Sequence, residues 1–149
     1  MAHAQQLSTF YLDGLHFGIE VEKVQEIIRY QPTTRVPLAS SVVEGLINLR
    51  GQIVTAIDLR ARLQMPPRAG EALPTNVIVR VDDGAVSLLV DEIGDVVEVD
   101  EGTFEPSPDT VGGITRELVC GVYKLRDRLL LVLDTERAIQ GVGESATGH

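Results

Sequence analysis

The chain carries one of its own motifs twice, and this repeat is the feature that most constrains its fold. Residues 45–58 recur as residues 121–134, at a constant offset of 121 − 45 = 76 and without a gap. Four positions are identical, and six more pair one apolar residue with another. A second match relates residues 19–27 to residues 88–96, at an offset of 88 − 19 = 69. The same two pieces in the same order predict two similar subdomains that arose by duplication. The alternative is that any two β-hairpins share alternating apolar residues.

The composition is that of an acidic globular protein. The 149 residues suffice for one sizeable core or two small ones. A net charge of −9 argues against nucleic-acid binding and against anionic membrane surfaces, because both repel an acidic protein. Residues 1–10 lack the apolar stretch of a signal peptide, and no apolar run is long enough to span a membrane. We therefore expect a cytoplasmic protein without direct membrane insertion.

The chain has a single cysteine, Cys120, which cannot form an internal disulfide. A lone cysteine fits a reducing cytoplasm. Its apolar neighbours predict a buried structural thiol rather than a nucleophile.

Alternating apolar residues bounded by Gly, Pro and Asp predict many short strands, which are typical of barrels and sandwiches. Residues 9–12 and 16–19 flank an Asp13-Gly14 turn, a strong hairpin signal. Residues 42–49 and 53–59 form a second predicted hairpin, whose turn needs Gly51 at a positive φ. Further strands are predicted at residues 76–81, 86–90, 95–99, 119–125 and 129–133.

The remaining segments are predicted to be helical, extended or flexible. The apolar spacing in residues 20–29 predicts a short amphipathic helix, although its Val and Ile residues keep a strand as an alternative. Residues 64–75 contain three prolines and form a predicted linker between the two halves. A helical turn is predicted at residues 135–140, and residues 1–8 and 141–149 are expected to be flexible.

No motif in the sequence points to catalysis or to a cofactor. Two of the three histidines are at the termini and His16 stands alone in a strand, so we predict no metal site. No glycine-rich phosphate-binding pattern is present, and no serine has a histidine base in its own segment. The acidic residues, which are expected to form a solvated face, are Glu22, Glu26, Asp91, Glu92 and Asp95.

Four segments give the chain a close resemblance to the CheW-like family of chemotaxis coupling proteins. They are residues 23–27, 34–37, 43–51 and 53–60, and the resemblance extends from about residue 10 to residue 139. It implies a mainly β fold of two intertwined five-stranded SH3-like β-barrel subdomains, with one or two short helices, in a single domain at residues 10–140. It also implies a non-catalytic adaptor without cofactors, which couples methyl-accepting chemoreceptors to the histidine kinase CheA and is recruited from the cytoplasm to receptor arrays. The chain lacks the kinase and receiver segments of related multidomain proteins, so it resembles the stand-alone adaptor.

The resemblance also implies a receptor-binding site. In the family, the cytoplasmic tip of the receptor docks in a groove between the two barrels, and a helix in an apolar groove is a known recognition mode. The residues that match the family's receptor-binding positions are Val24, Glu26, Gly45, Asn48 and Arg50. Strand alternation places Asn48 and Arg50 on the outward face, with Arg50 in reach of Glu26. The alternative is a surface ion pair of little consequence. We read Arg126, the counterpart of Arg50 in the repeat, as structural.

A second set of residues resembles the region through which kinase and adaptor assemble into rings. The tentative contact residues are Phe104, Glu105 and Asp109. In well-known members this loop carries a basic and an aromatic residue, whereas here Glu105 and Thr110 occupy the matching places. This departure argues against the contact that this loop makes in the rings of other members. It does not affect the main contact with the regulatory domain of CheA, whose residues no motif in this sequence identifies.

Three other functions are alternatives to a chemotaxis adaptor. The same fold could serve a kinase that controls twitching, gliding or a second messenger. An enzyme on a small barrel would need a titratable cluster in a pocket, and the sequence shows none. A nucleic-acid-binding barrel would need a basic groove and stacking rings, which an acidic chain with 4% aromatic residues does not offer.

Overall fold

The computed structural model describes residues 4–37, 39–70, 72–82, 84–109 and 111–140. Ten strands follow one another along the chain: β1 Ala4–Leu12, β2 Leu15–Glu20, β3 Val24–Ile28, β4 Val43–Leu49, β5 Gln52–Asp58, β6 Thr75–Val81, β7 Gly84–Val90, β8 Glu92–Asp100, β9 Val119–Lys124 and β10 Leu129–Leu133. Three short helices accompany them: α1 Leu59–Arg62, α2 Gly113–Leu118 and α3 Thr135–Ile139. The prediction of a mainly β chain is confirmed.

The strands form two five-stranded sheets with the same internal plan. The strand order is β8-β1-β2-β10-β9 in one sheet, sheet A, and β3-β6-β7-β5-β4 in the other, sheet B. Each sheet contains one parallel pair, Leu131 against Phe17 in sheet A and Thr55 against Val86 in sheet B. These pairs differ by 131 − 55 = 76 and 86 − 17 = 69, which are the two offsets of the sequence repeat. The similarity between the halves therefore extends to the register of the strands, as a duplication predicts.

The two repeats exchange strands. The first repeat runs from β1 to α1 and the second from β6 to α3, yet β1 and β2 pair in sheet A with strands of the second repeat. In return, β6 and β7 pair in sheet B with strands of the first repeat. The predicted linker at residues 64–75 does join the two repeats in sequence. In space it connects α1 to β6, and β5 and β6 both belong to sheet B.

The repeated motif ends in both copies with an aspartate that begins a helix. The Asp58 carboxylate accepts hydrogen bonds from the backbone N–H groups of Arg60 and Ala61 at the start of α1. Asp134 accepts one from Arg137 in α3. Such a cap satisfies backbone donors that a helix start leaves without partners, typically for about 1 kcal/mol. The conserved spacing of the motif thus encodes a hairpin followed by a capped helix.

The glycine that opens each copy is explained by a close crossing of two chain segments. A Cβ on Gly45 would lie 2.6 Å from the carbonyl oxygen of Thr34, and one on Gly121 would lie 2.5 Å from that of Glu105. Thr34 pairs with Leu46 and Glu105 with Val122 as isolated bridges over the edge strands β4 and β9. Only glycine lets the second segment come this near.

The described residues form three apolar clusters, and one of them joins the two sheets. The largest draws residues from both sheets, among them Phe10, Phe17, Val79 and Leu88, so it is the core between the sheets. A smaller cluster around Ile47 belongs to sheet B, and another around Leu130 belongs to sheet A. Because each sheet contains strands of both repeats, neither repeat can bury its apolar residues alone.

Two predictions about the first 30 residues are wrong. Residues 20–29 hold a 3₁₀ turn at Val21–Lys23 and then strand β3, because β3 pairs with β6 and its β-branched residues suit a sheet. Ala4–Ser8 are not frayed, since they pair with β8 over Val96–Asp100. The predicted flexible segments at residues 1–3 and 141–149 lie outside the described residues.

Cys120 is exposed, so the prediction of a buried thiol is also wrong. Its neighbours Val119 and Gly121 are buried. Alternate residues of a strand point to opposite faces, and on the edge strand β9 the parity places Cys120 outward.

Candidate functional site

The five predicted receptor-binding residues all belong to sheet B. Val24 and Glu26 lie on β3, whereas Gly45 and Asn48 lie on β4 and Arg50 lies in the β4–β5 turn. β3 and β4 are the two opposite edges of the sheet. The guanidinium of Arg50 nevertheless donates a hydrogen bond to the Glu26 carboxylate and forms an ion pair with it. The two edges therefore come within side-chain reach, and the proximity of Arg50 and Glu26 predicted from strand parity is confirmed.

The β4–β5 turn fixes the position of Arg50. Leu49 pairs with Gln52, so Arg50 and Gly51 are the two residues of the turn, with φ of 51° and 88°. Positive φ at both positions is typical of the hairpin turn whose twist matches that of the strands. The side-chain oxygen of Asn48 accepts a hydrogen bond of 2.8 Å from the backbone N–H of Gly51. The positive φ predicted for Gly51 is confirmed, and the Asn48 side chain helps to hold the turn.

Exposure divides the five residues into two groups. The Arg50 side chain is 70% exposed and that of Glu26 is 25% exposed, so the ion pair is open to a partner on its guanidinium side. Gly45 is buried under the crossing segment, and Val24 packs against the large cluster. Asn48 is exposed and belongs with Arg50 and Glu26. These three can contact a partner, whereas Gly45 and Val24 shape the surface beneath them.

Two exposed apolar residues adjoin this surface, and the sequence analysis did not single them out. Ile27 follows Glu26 on β3 and is 41% exposed, and Ile53 pairs with Asn48 and is 60% exposed. The signal that could have found Ile27 is the strand parity of β3, once that segment is recognised as a strand.

The second predicted set lies on sheet A. Glu105 exchanges two backbone hydrogen bonds with Val122 on β9, of 2.9 Å and 2.8 Å. Its carboxylate lies 3.5 Å from the ammonium of Lys124, and the Phe104 ring contacts that of Tyr123, with centroids 5.2 Å apart. Asp109 is fully exposed, and Thr110 lies outside the described residues. The two predicted sets therefore occupy different sheets.

An ionic network around Asp91 was missed by the expectation of a solvated acidic face. The Asp91 carboxylate accepts hydrogen bonds from the guanidinium of Arg60, of 2.8 Å and 2.6 Å, and a third of 3.1 Å from Arg68. It also accepts the backbone N–H of Asp13 at 2.9 Å. Burial alone would raise the pKa of Asp91, but these hydrogen bonds and the two positive charges lower it to about 2. The network ties the β1–β2 turn, α1 and the linker to the junction of β7 and β8.

The described residues contain neither a metal-binding cluster nor a helix suited to cross a membrane. No group of three or more His, Cys, Asp or Glu side chains is placed to hold a metal ion. None of the helices that the structure describes has the length and apolar character needed to cross a membrane.

Comparison with known proteins agrees with the fold and with the motifs. The family model of the CheW-like domain matches residues 6–142. The chemotaxis protein CheW of Bacillus subtilis is 32% identical, over 91% of this chain and 86% of its own length. The probable chemotaxis protein CheW of Rhizobium etli is 29% identical, over 89% and 85%.

A solved structure gives the same result. The scaffolding protein TtCheW of Thermoanaerobacter tengcongensis superimposes with a TM-score of 0.84 and 27% identity, over 95% of this chain and 96% of that one. Family model, relatives and structure all cover nearly the whole described chain. The chain therefore belongs to the CheW-like domain family.

Proposed function

We propose that this chain is a non-catalytic adaptor that couples the cytoplasmic tips of methyl-accepting chemoreceptors to the regulatory domain of the histidine kinase CheA. The proposal draws on family membership and on relatives that are named chemotaxis proteins. The single observation that carries it is the exposed Glu26–Arg50 ion pair across the two edges of sheet B. As an adaptor of membrane receptors, the protein acts in the cytoplasm at receptor arrays.

The receptor tip docks on the surface around this ion pair. Ile27 and Ile53 supply the apolar contact, and Arg50 offers donors that Glu26 leaves free. The ion pair is worth little to folding, because the Arg50 side chain is mostly exposed. A partner that covers it removes water from the charges, so the same pair can contribute much more to binding than to stability.

The tentative kinase or ring contacts are the residues beside the other sheet. Phe104 and Glu105 cross the edge strand β9 just as Thr34 crosses β4, so they present a second, separate edge to a partner. An adaptor that joins two proteins needs two surfaces that can be occupied at once. The separation of the predicted sets onto two sheets supports that requirement.

The experiment is receptor-dependent stimulation of CheA in a mixture of purified kinase, receptor signalling fragment and this chain. We expect stimulation with the wild-type chain and loss of most of it with Arg50→Ala, at an unchanged melting temperature. The matched control is Arg128→Ala, which removes an exposed turn arginine paired with Asp127 on sheet A. No stimulation by the folded wild-type chain would refute the proposed function. Equal stimulation by wild type and Arg50→Ala would remove Arg50 from the receptor site.

A further inference from the structure

The duplication places a counterpart of each predicted receptor-binding residue on the other sheet. Adding 69 to positions 24 and 26 gives Ile93 and Asp95, and adding 76 to positions 45, 48 and 50 gives Gly121, Lys124 and Arg126. The apolar residue, the acid, the glycine and the arginine all recur, and only Asn48 is replaced by a different type, Lys124. Sheet A thus repeats the chemistry of the sheet B surface.

The backbone of this counterpart is built in the same way. The pairing of β3 with β6 is irregular between Val24 and Glu26. The pairing of β8 with β1 is irregular at the matching place, since Ile93 lies opposite Phe10 and Val96 opposite Ser8. A β-bulge changes the direction of side chains on an edge strand, so the same irregularity turns Glu26 and Asp95 outward.

The side chains around the bulge also correspond. Val24 and Ile93 both pack against the large cluster between the sheets. The next apolar residue is exposed in both copies, with Ile27 at 41% and Val96 at 58%. The two edge strands thus present an exposed β-branched side chain at the same position.

The copies differ in their charges. Glu26 is paired with Arg50, whereas Asp95 and Arg126 form no ion pair with each other or with any residue in the described part of the chain. Both are exposed. In sheet B the charges neutralise each other, and in sheet A they are available to a partner.

We propose that Asp95 and Val96 on β8, together with Arg126 in the β9–β10 turn, form a second docking surface for a basic polypeptide segment of a partner protein. The surface extends the proposed adaptor role, since it is the internal counterpart of the proposed receptor site. Exposed Glu92 and Glu98 flank the bulge on the same edge strand, so the segment that covers β8 carries lysines or arginines. Its apolar side chain covers Val96, and a carboxylate at one end pairs with Arg126. With Asp100, these acids make four negative residues on β8, which would repel an acidic segment, so the partner segment is basic.

The test uses the full chain and a peptide probe, Lys-Val-Lys-Val-Lys-Val-Glu, followed by backbone amide NMR shifts. We expect saturable shifts centred on residues 95–97 and 126. Val96→Thr should weaken peptide binding about tenfold or more. Ile27→Thr, the change at the matching position of sheet B, should leave the affinity for this peptide unchanged. A second peptide, with Ser in place of each Val, keeps the charge but lacks the apolar side chains. We expect it to bind the wild-type chain as weakly as the original peptide binds the Val96→Thr variant.

The outcomes distinguish binding at a specific surface from general electrostatic attraction of a basic peptide to an acidic protein. Shifts spread over all acidic residues, abolished by moderate salt and insensitive to Val96→Thr, would overturn the proposal. So would the absence of saturable shifts. Because neither kinase nor receptor is present, failure here leaves the adaptor proposal untouched, and failure of kinase stimulation leaves this result untouched.

Discussion

The two copies of the repeated hairpin share the register of their strands and differ in the conformation and contacts of their turns. In the first copy, Gly51 takes a positive φ and Arg50 reaches across the sheet to Glu26. In the second, Leu125 and Arg128 close the turn by a 2.8 Å backbone hydrogen bond, and Asp127 has no positive φ. The strands on either side keep the same register and the same capped helix. The paired strands and the capped helix thus define the common scaffold, whereas the exposed turns make different contacts.

The largest loss of stability is expected at the glycine that opens both copies of the motif. Gly45→Ala and Gly121→Ala each force a Cβ against a backbone carbonyl, of Thr34 and of Glu105, and a backbone atom cannot move aside cheaply. We expect each variant to lose about 3 kcal/mol of unfolding free energy, which chemical denaturation would measure. A loss in only one of them would show that the two crossings are not equivalent.

A smaller effect is expected where only one copy has an ionic network. The counterparts of Asp91 and Arg60 are Glu22 and Glu136, at 91 − 69 = 22 and 60 + 76 = 136, and two acids cannot form this pair. The folded pKa of Asp91, about 2, lies below its ordinary value of 3.8. Its contribution is therefore fully present above pH 5 and is lost as the pH falls towards 2, and it amounts to about 2 kcal/mol.

The measurement is the unfolding free energy as a function of pH. Asp91→Asn should lower stability at neutral pH and flatten the decline below pH 5, because the titrating group is gone. Glu22→Gln is the matched control and should leave both the neutral value and the acid slope close to those of the wild type. An unchanged acid slope in Asp91→Asn would show that the network does not stabilise the fold.

A still smaller effect separates the two turns. A Cβ at Gly51 meets open space, so Gly51→Val is opposed by backbone strain alone, and we expect a loss of about 1–2 kcal/mol. Asp127→Gly should change stability by less than about 1 kcal/mol, because its backbone needs no glycine. Thermal melts of the two variants would check this, and equal large losses would contradict the difference between the turns.

The duplication and the hairpins could be predicted from the sequence because they are local or periodic. The turn residues Arg50 and Gly51 and the alternating apolar residues on either side predict β4 and β5. The constant offset of 76 residues predicts the second hairpin. The β3 segment could not be assigned in this way. Val21, Val24 and Ile28 suit a helical face as well as a strand, and only pairing with β6, about 50 residues away, decides between them.

The candidate site was predictable in part for the same reason. Strand parity within β4 placed Asn48 and Arg50 outward, and the structure confirms the approach to Glu26. The Asp91 network and the exposed Ile27 depend on distant segments, namely the β1–β2 turn, the linker and β3. Single-sequence patterns carry no information about such contacts, so an acidic residue there is expected to be solvated by default.

The most direct test of the account is a double-mutant cycle on Glu26 and Arg50, read out as receptor-dependent CheA stimulation with thermal melts beside it. We expect Arg50→Ala to lower stimulation strongly and Glu26→Ala more weakly, with all variants folded, because the pair is exposed. If the two residues act through each other, the double mutant loses less than the sum of the single losses. Additive losses would show that they act separately on the receptor. A collapse of the melting transition in Arg50→Ala would contradict the account, because it would show that the arginine serves the fold rather than the receptor surface.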